Sequence, residues 1–125
     1  MTTTAVRDDG LLRFALKIDG VASGALGLSA LLLDVDHGLP RGLVIGLGVF
    51  LVGYGIGVFL LGTRPVRPLV AVVVIGNLVW VVDSLLVAFA GWFPLTGLGL
   101  FLVLAQAAAV AGFIALQVLG LRRSA

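Results

Sequence analysis

Four long, nearly uninterrupted apolar runs dominate this sequence of 125 residues. A helix needs about 20 apolar residues to cross the hydrocarbon layer of a bilayer. A lipid-exposed backbone must also satisfy its own hydrogen bonds, which leaves α-helices or a closed β-barrel. Barrel strands alternate apolar and polar residues over short stretches, and these runs do not. The runs therefore predict a single all-α domain, a bundle of four transmembrane helices in antiparallel hairpins, at about 11–33, 43–61, 69–89 and 98–121.

The composition agrees with a chain that faces lipid. Hydrophobic residues make up 61% of the sequence and charged residues only 11%, whereas about a quarter of a soluble domain is charged. The absence of Cys excludes disulfides, thiolate catalysis and Cys-based zinc sites. The basic residues form no dense patch interleaved with aromatic residues, so we expect no nucleic-acid partner. The sequence predicts the lipid bilayer as the main partner and no cofactor.

The breaks between the runs have the composition of tight turns. Residues 34–41, 62–68 and 91–97 each contain Pro and Gly, which end helices and allow the chain to reverse. Because these breaks are short, we expect consecutive helices to be antiparallel neighbours. Arg13, Lys17 and Asp19 interrupt the first run, and no small-residue cleavage site follows it, so it is predicted to be a retained helix rather than a signal peptide.

The basic residues predict how the chain lies in the membrane. Lys and Arg are enriched on the cytoplasmic side of membrane proteins. Seven of the eight basic residues fall on one side of the four predicted crossings, and Arg41 alone falls on the other. We therefore predict a multi-pass protein of the cell membrane with both termini in the cytoplasm and Trp92 at the outer interface. The seven residues are Arg7, Arg13, Lys17, Arg64, Arg67, Arg122 and Arg123.

Small residues recur at helical spacing and mark predicted packing faces. Helices in lipid associate through close contact at such residues. In the second helix they form two stripes on roughly opposite sides, so we predict that this helix is central and approached from both sides. Alternatively, one glycine face mediates homo-oligomers or contacts in a larger membrane complex. The stripes are Gly42, Gly46, Gly53 and Gly57, and Gly48, Gly55 and Gly62; helix one offers Gly20, Gly24 and Gly27, and helix four offers Ala105, Ala108 and Gly112.

Polar residues inside the apolar runs are the candidate functional residues, because each is costly in lipid unless it has a partner. From a rise of about 1.5 Å per residue, they fall into three levels, which would form a polar pocket or path across the bundle. The alternative is that they only hold the helices together, at around 0.6 kcal/mol per hydrogen bond. The levels are Asp83 and Gln106 outside, Asp19, Tyr54 and Asn77 in the middle, and Lys17 and Gln117 inside.

The three residues of the middle level are expected to meet inside the bundle. A carboxylate that faces lipid near the bilayer centre costs about 2.5–3.5 kcal/mol on insertion scales. Asn77 can both donate and accept, so it can bridge the phenol of Tyr54 and the carboxyl group of Asp19.

The sequence gives little support for a metal site or a catalytic site. His37 is the only His and follows Asp34 and Asp36 in a predicted loop, but this spacing fits no defined metal site, and a solvated turn is the better interpretation. No nucleophile is paired with a base and an orienting group. We therefore predict neither a metal site nor an enzyme.

Three segments resemble small uncharacterised four-helix membrane proteins of actinobacteria and other bacteria: Leu16-Lys17-Ile18-Asp19-Gly20, Gly76-Asn77-Leu78-Val79-Trp80 and the stretch 90–99. The resemblance spans most of the chain and implies the fold and the location but no activity. Small multidrug exporters also have about four short helices, with an essential Glu in the first. This chain has no Glu, so Asp19 would have to substitute. The motifs of fluoride channels are not found.

The sequence leaves two functions open. An accessory or structural membrane subunit is favoured, because no deep acidic residue has an obvious partner on a matching helix face. A small proton-coupled transporter or channel that uses the midplane polar residues is the alternative.

Reporter fusions test the predicted topology. A fusion at Ser124 should report the cytoplasm and a fusion at His37 the outside, because the basic residues favour that orientation. The reverse pair of signals would overturn the orientation, and equal signals at both positions would overturn the number of helices between them.

Overall fold

The computed structural model describes residues 9–123, which form four helices and no strand: α1 (Gly10–Leu32), α2 (Arg41–Thr63), α3 (Arg67–Phe89) and α4 (Gly97–Arg123). Arg7 and Ser124 lie outside the described residues. The four-helix prediction is confirmed. The largest difference in bounds is two residues, since α2 covers 41–63 rather than 43–61. Each helix is long and apolar enough to cross a membrane, consistent with a multi-pass integral membrane protein.

Contacts between the helices show that neighbours in sequence run antiparallel. Gly20 and Gly27 of α1 meet Gly55 and Gly48 of α2, in reversed order. The two chain termini and the α2–α3 connection therefore lie at one end of the bundle, which we call the terminal end. The α1–α2 and α3–α4 loops lie at the other, the loop end.

Arginine side chains cap the C-terminal ends of two helices at the terminal end of the bundle. The last carbonyls of a helix have no partner within the helix. Arg13 Nη1 donates to the carbonyl of Thr63 at 2.8 Å, and Arg67 Nη1 donates to the carbonyl of Leu121 at 3.2 Å. Basic side chains also interact favourably with the negative end of the helix dipole. These two arginines therefore join α1 to the end of α2, and α3 to the end of α4.

The helices pack side by side in the order α2–α1–α4–α3. Helix α1 packs on α2 and on α4, and α3 packs on α4, whereas α2 and α3 approach each other at few points. The prediction that the second helix is central is wrong. Helical spacing correctly located its small residues, but it does not reveal whether a given face meets another helix of the same chain.

One glycine stripe of α2 packs closely against the backbone of α1. A Cβ atom added at Gly20 would lie 2.7 Å from the Gly55 carbonyl oxygen, and one at Gly27 would lie 2.7 Å from the Gly48 carbonyl oxygen. A Cβ atom at Gly55 would in turn lie 2.6 Å from the Gly24 nitrogen. Since no real Cβ fits at such distances, α1 and α2 can pack this closely only because these residues are glycines.

The other predicted faces are open. A Cβ atom at Gly42, Gly46, Gly53 or Gly57 would meet nothing within 4 Å, and the same holds for Gly112 of α4. Ala105 and Ala108 are also exposed, while α4 buries Gly99, Ala107, Gln117 and Gly120 instead. The prediction that these glycines and alanines pack against helices of the same chain is therefore wrong.

A cluster of buried apolar residues lies in one half of the bundle. It consists of residues from the first turns of α1 and α3 and the last turns of α2, all toward the terminal end: Leu12, Leu16, Val58, Val70 and Val73. Tyr54, Leu61, Val74 and Leu121 pack around this cluster. The terminal half of the bundle is thus closed by apolar side chains.

Glycine substitutions test the difference between the two faces of α2. Gly27→Leu should lower the free energy of unfolding by about 1–3 kcal/mol or more, because the new side chain would enter a backbone contact. Gly46→Leu, the matched control, should be neutral or slightly stabilising, because its position is open and Leu favours the helix. Unfolding in mixed micelles followed by circular dichroism measures both. Equal losses would contradict the assignment of the packed face.

Candidate functional site

Asp19 is the centre of a polar network in the middle of the bundle. It is the tenth of 23 residues in α1, and its exposure is 0%. Its Oδ2 accepts hydrogen bonds from Asn77 Nδ2 at 2.9 Å and Gln117 Nε2 at 2.7 Å, and its Oδ1 accepts one from Ser23 Oγ at 3.1 Å. All three donors are neutral, so the carboxyl group is hydrogen-bonded without a cation.

Asn77 connects this carboxyl group to the remaining helices. Its amide nitrogen also donates to Gln117 Oε1 at 3.2 Å, and its Oδ1 accepts from the Tyr54 hydroxyl at 2.7 Å. We call Asp19, Ser23, Tyr54, Asn77 and Gln117 the Asp19 network. The expected meeting of Asp19, Tyr54 and Asn77 is found, and every helix contributes at least one member.

The packing of the helices explains why these side chains reach one another. Gly20, next to Asp19 in sequence, lets α2 approach α1 at this level. The backbones of α2 and α3 remain apart, and the long side chain of Tyr54 spans the gap to Asn77. Stacking of the Tyr54 ring on Phe50, with centroids 5.8 Å apart, supports that position.

Three of the predicted pocket residues lie outside the Asp19 network: Lys17, Asp83 and Gln106. Lys17 makes no hydrogen bond or ion pair with any residue in 9–123. Its side chain packs against α2, since a Cβ atom added at Gly62 would lie 2.8 Å from the Lys17 Cγ. Asp83 is exposed and does not bond to Gln106. Lys17 and Gln117, which were predicted to share a level, therefore do not meet, and neither do Asp83 and Gln106. A common depth does not ensure a common direction, since Asp83 lies at the level of Gln106 but faces out of the bundle.

Gln106 belongs to a second network nearer the loop end. Its Oε1 accepts a hydrogen bond from the indole N–H of Trp80, and its amide nitrogen donates to Ser84 Oγ at 2.9 Å and to the Val103 carbonyl at 2.7 Å. Ser23, Trp80 and Ser84 were not among the predicted site residues. Two signals could have identified them: Ser23 follows Asp19 by one helical turn, and Trp80 and Ser84 share a helical face with Asn77.

A cavity of about 270 Å³ is lined by residues of both polar networks. Ser23, Tyr54 and Asn77 line it on the side of Asp19, and Trp80 and Gln106 belong to its lining as well. All four helices contribute to its walls, which are otherwise apolar or aromatic. The bundle thus has an apolar core toward the terminal end, a buried carboxyl group at its middle, and a cavity toward the loop end.

Hydrogen bonds join the two loops at the loop end. The backbone N–H of Thr96 donates to the His37 carbonyl at 3.2 Å, and the Thr96 hydroxyl donates to the Asp36 carbonyl at 2.6 Å. His37 Nδ1 accepts from the backbone N–H of Leu39 at 3.0 Å. Within residues 9–123, no group of three His, Cys, Asp or Glu side chains is arranged to hold a metal ion. His37 therefore has a structural place in a turn.

No family model, no curated protein and no solved structure matches this chain. The resemblance to small four-helix membrane proteins of bacteria stays a prediction.

Replacement of Asn77 tests how strongly the network stabilises the bundle. Asn77→Leu should lower the free energy of unfolding by about 1–3 kcal/mol, because Asp19, Gln117 and Tyr54 would all lose a buried partner. Val72→Leu, an exposed position on the same helix, is the control. A difference between the two variants below about 0.6 kcal/mol, the average for an interhelical hydrogen bond in lipid, would contradict a structural contribution of Asn77.

Proposed function

We propose that this chain is an integral membrane protein that crosses the cell membrane four times, with both termini in the cytoplasm. The seven-to-one distribution of basic residues supports this orientation. Of those seven, Arg13 and Arg67 cap helix ends at the terminal end of the bundle. In this orientation the terminal end is cytoplasmic and the loop end is external.

Within this frame, the function that the geometry supports best is that of a small proton-coupled carrier. The observation that carries the proposal is a buried carboxyl group with only neutral partners at the base of a cavity. The cavity lies in the external half, and the apolar core fills the cytoplasmic half. A solute would enter from outside, and Asp19 would bind and release the coupled proton.

The surroundings of Asp19 suit both protonation states. The ionised carboxylate accepts all three hydrogen bonds as they stand. When Asp19 is protonated at Oδ1, the Ser23 hydroxyl can turn and accept instead, because a hydroxyl is both donor and acceptor. Ser23 also lines the cavity. A proton therefore has a hydroxyl relay between the cavity and the carboxyl group, and its transfer requires no movement of a helix.

The two functions left open by the sequence now have different support. The accessory role was favoured because Asp19 had no obvious partner, yet its side chain bonds to residues of α3 and α4. The open stripe of Gly46, Gly53 and Gly57 on α2 is the observation that still favours an accessory subunit, since it could receive a helix of another protein. The carrier is our first proposal and the accessory subunit our second.

We also propose that the protein is not an enzyme. The hydroxyl of Ser23 donates to Asp19, and His37, the only His of the sequence, lies in a loop with its Nδ1 engaged by Leu39. The nucleophile, histidine base and orienting group of a catalytic triad are therefore not assembled around Ser23.

The proton-binding role of Asp19 can be tested without knowledge of the solute. Infrared difference spectroscopy of the protein in lipid should show, among the carboxyl bands that change reversibly with pH, one that belongs to Asp19 and differs from those of the other five Asp residues. Asp19→Asn should abolish this band and keep the fold, because the amide can replace both carboxyl oxygens once Ser23 accepts. Asp83→Asn, on the exposed face of α3, is the matched control and should keep the band. A band that persists in Asp19→Asn, or is absent from the native protein, would favour the accessory role.

A further inference from the structure

The lining of the cavity determines which solutes it can hold. Four aromatic rings contribute to it, from Phe50 and Tyr54 on α2, Trp80 on α3 and Phe113 on α4. No lining residue is charged. Asp19 lies one hydrogen bond behind Ser23 and Asn77, and no basic side chain of residues 9–123 forms an ion pair with it. An ionised Asp19 would therefore give the cavity a negative potential.

The hydrogen bonds of the lining exclude several solute classes. Every polar side chain on the lining already donates its hydrogen bonds to other groups of the protein. The donor–acceptor pairs are Ser23 to Asp19, Tyr54 to Asn77, Asn77 to Asp19 and Gln117, Trp80 to Gln106, and Gln106 to Ser84 and Val103. A carboxylate, a phosphate or a sugar would find no donor, and would have to break this network to enter. The cavity can offer a solute only aromatic faces, apolar surface and acceptor lone pairs.

We propose that this cavity binds a compact organic cation with an aromatic or otherwise apolar body, a solute class that rests on the proposed function of a carrier. A cation is attracted by the faces of aromatic rings and by the carboxylate behind them, and neither interaction requires a donor from the protein. The volume of about 270 Å³ has room for a body of about two fused rings, since an apolar cavity of about 150 Å³ holds benzene.

A matched pair of probes separates the effect of charge from that of shape. N-methylquinolinium is a two-ring cation, and 1-methylnaphthalene is its neutral counterpart of nearly the same shape. The chain has two Trp residues, Trp80 and Trp92. In a Trp92→Phe background, fluorescence comes from Trp80 on the lining and reports binding directly. The full-length protein in lipid nanodiscs is titrated at a pH at which infrared spectroscopy finds Asp19 ionised.

We expect the cation to bind at least about tenfold more tightly than the neutral probe, as the Coulomb attraction of a partly buried charge implies. Asp19→Asn should remove this preference and leave the affinity for 1-methylnaphthalene unchanged. Gly76→Leu should weaken both probes, because Gly76 lines the cavity and its Cβ would meet nothing within 4 Å. Gly57→Leu, equally open but outside the lining, should weaken neither.

Equal affinity for the two probes, a preference that survives Asp19→Asn, or no binding of either probe would overturn the proposed solute class. If both probes bind equally and Gly76→Leu blocks them, the cavity is a solute site for another class and the carrier proposal stands. Failure of the carrier proposal would appear separately, as the absence of a titrating Asp19 band in the infrared spectrum.

Discussion

The hydrogen bond between Asn77 and Asp19 is the interaction on which the arrangement of this bundle depends. Hydrophobic burial does not drive helices together within lipid, so close packing and polar contacts determine which helices associate. A carboxyl group in the middle of α1 must be kept from lipid. The amide of Asn77 is the one group that touches Asp19, Tyr54 and Gln117 together. It therefore fixes α3 relative to the other three helices.

The two halves of the bundle on either side of Asp19 differ in how densely side chains fill them. The half that holds Leu12, Leu16 and Val70 is filled by apolar side chains that are fully buried. The other half keeps a cavity, because α2 and α3 approach each other at few points and aromatic side chains cover the gap only in part. The bundle therefore has a cavity on one side of the buried carboxyl group and an apolar cluster on the other.

The predictions from the sequence succeeded where local chemistry decides the outcome. Apolar length and Pro/Gly breaks predicted all four helices, and helical rise brought Asp19, Tyr54 and Asn77 to one level. The rotation of each helix about its own axis was harder to predict, because it depends on which helices lie beside it, and the periodicity of the sequence does not identify them. Asp83 faces out of the bundle, and the Gly46 face of α2 is open although it is as rich in glycine as the packed face. The partners of Gln106 and the cavity depend on tertiary packing, which a linear pattern does not contain.

The division of the network between the two hairpins has a consequence for biogenesis. The α1–α2 hairpin leaves the ribosome first, and its glycine contacts involve no residue of α3 or α4. At that stage Asp19 has Ser23 but lacks Asn77 and Gln117, which belong to the second hairpin. In a bilayer, an intermediate that consists of the first hairpin alone would carry an incompletely paired carboxyl group. Arrival of α3 and α4 relieves that penalty, so the polar centre gives the two hairpins a thermodynamic reason to join.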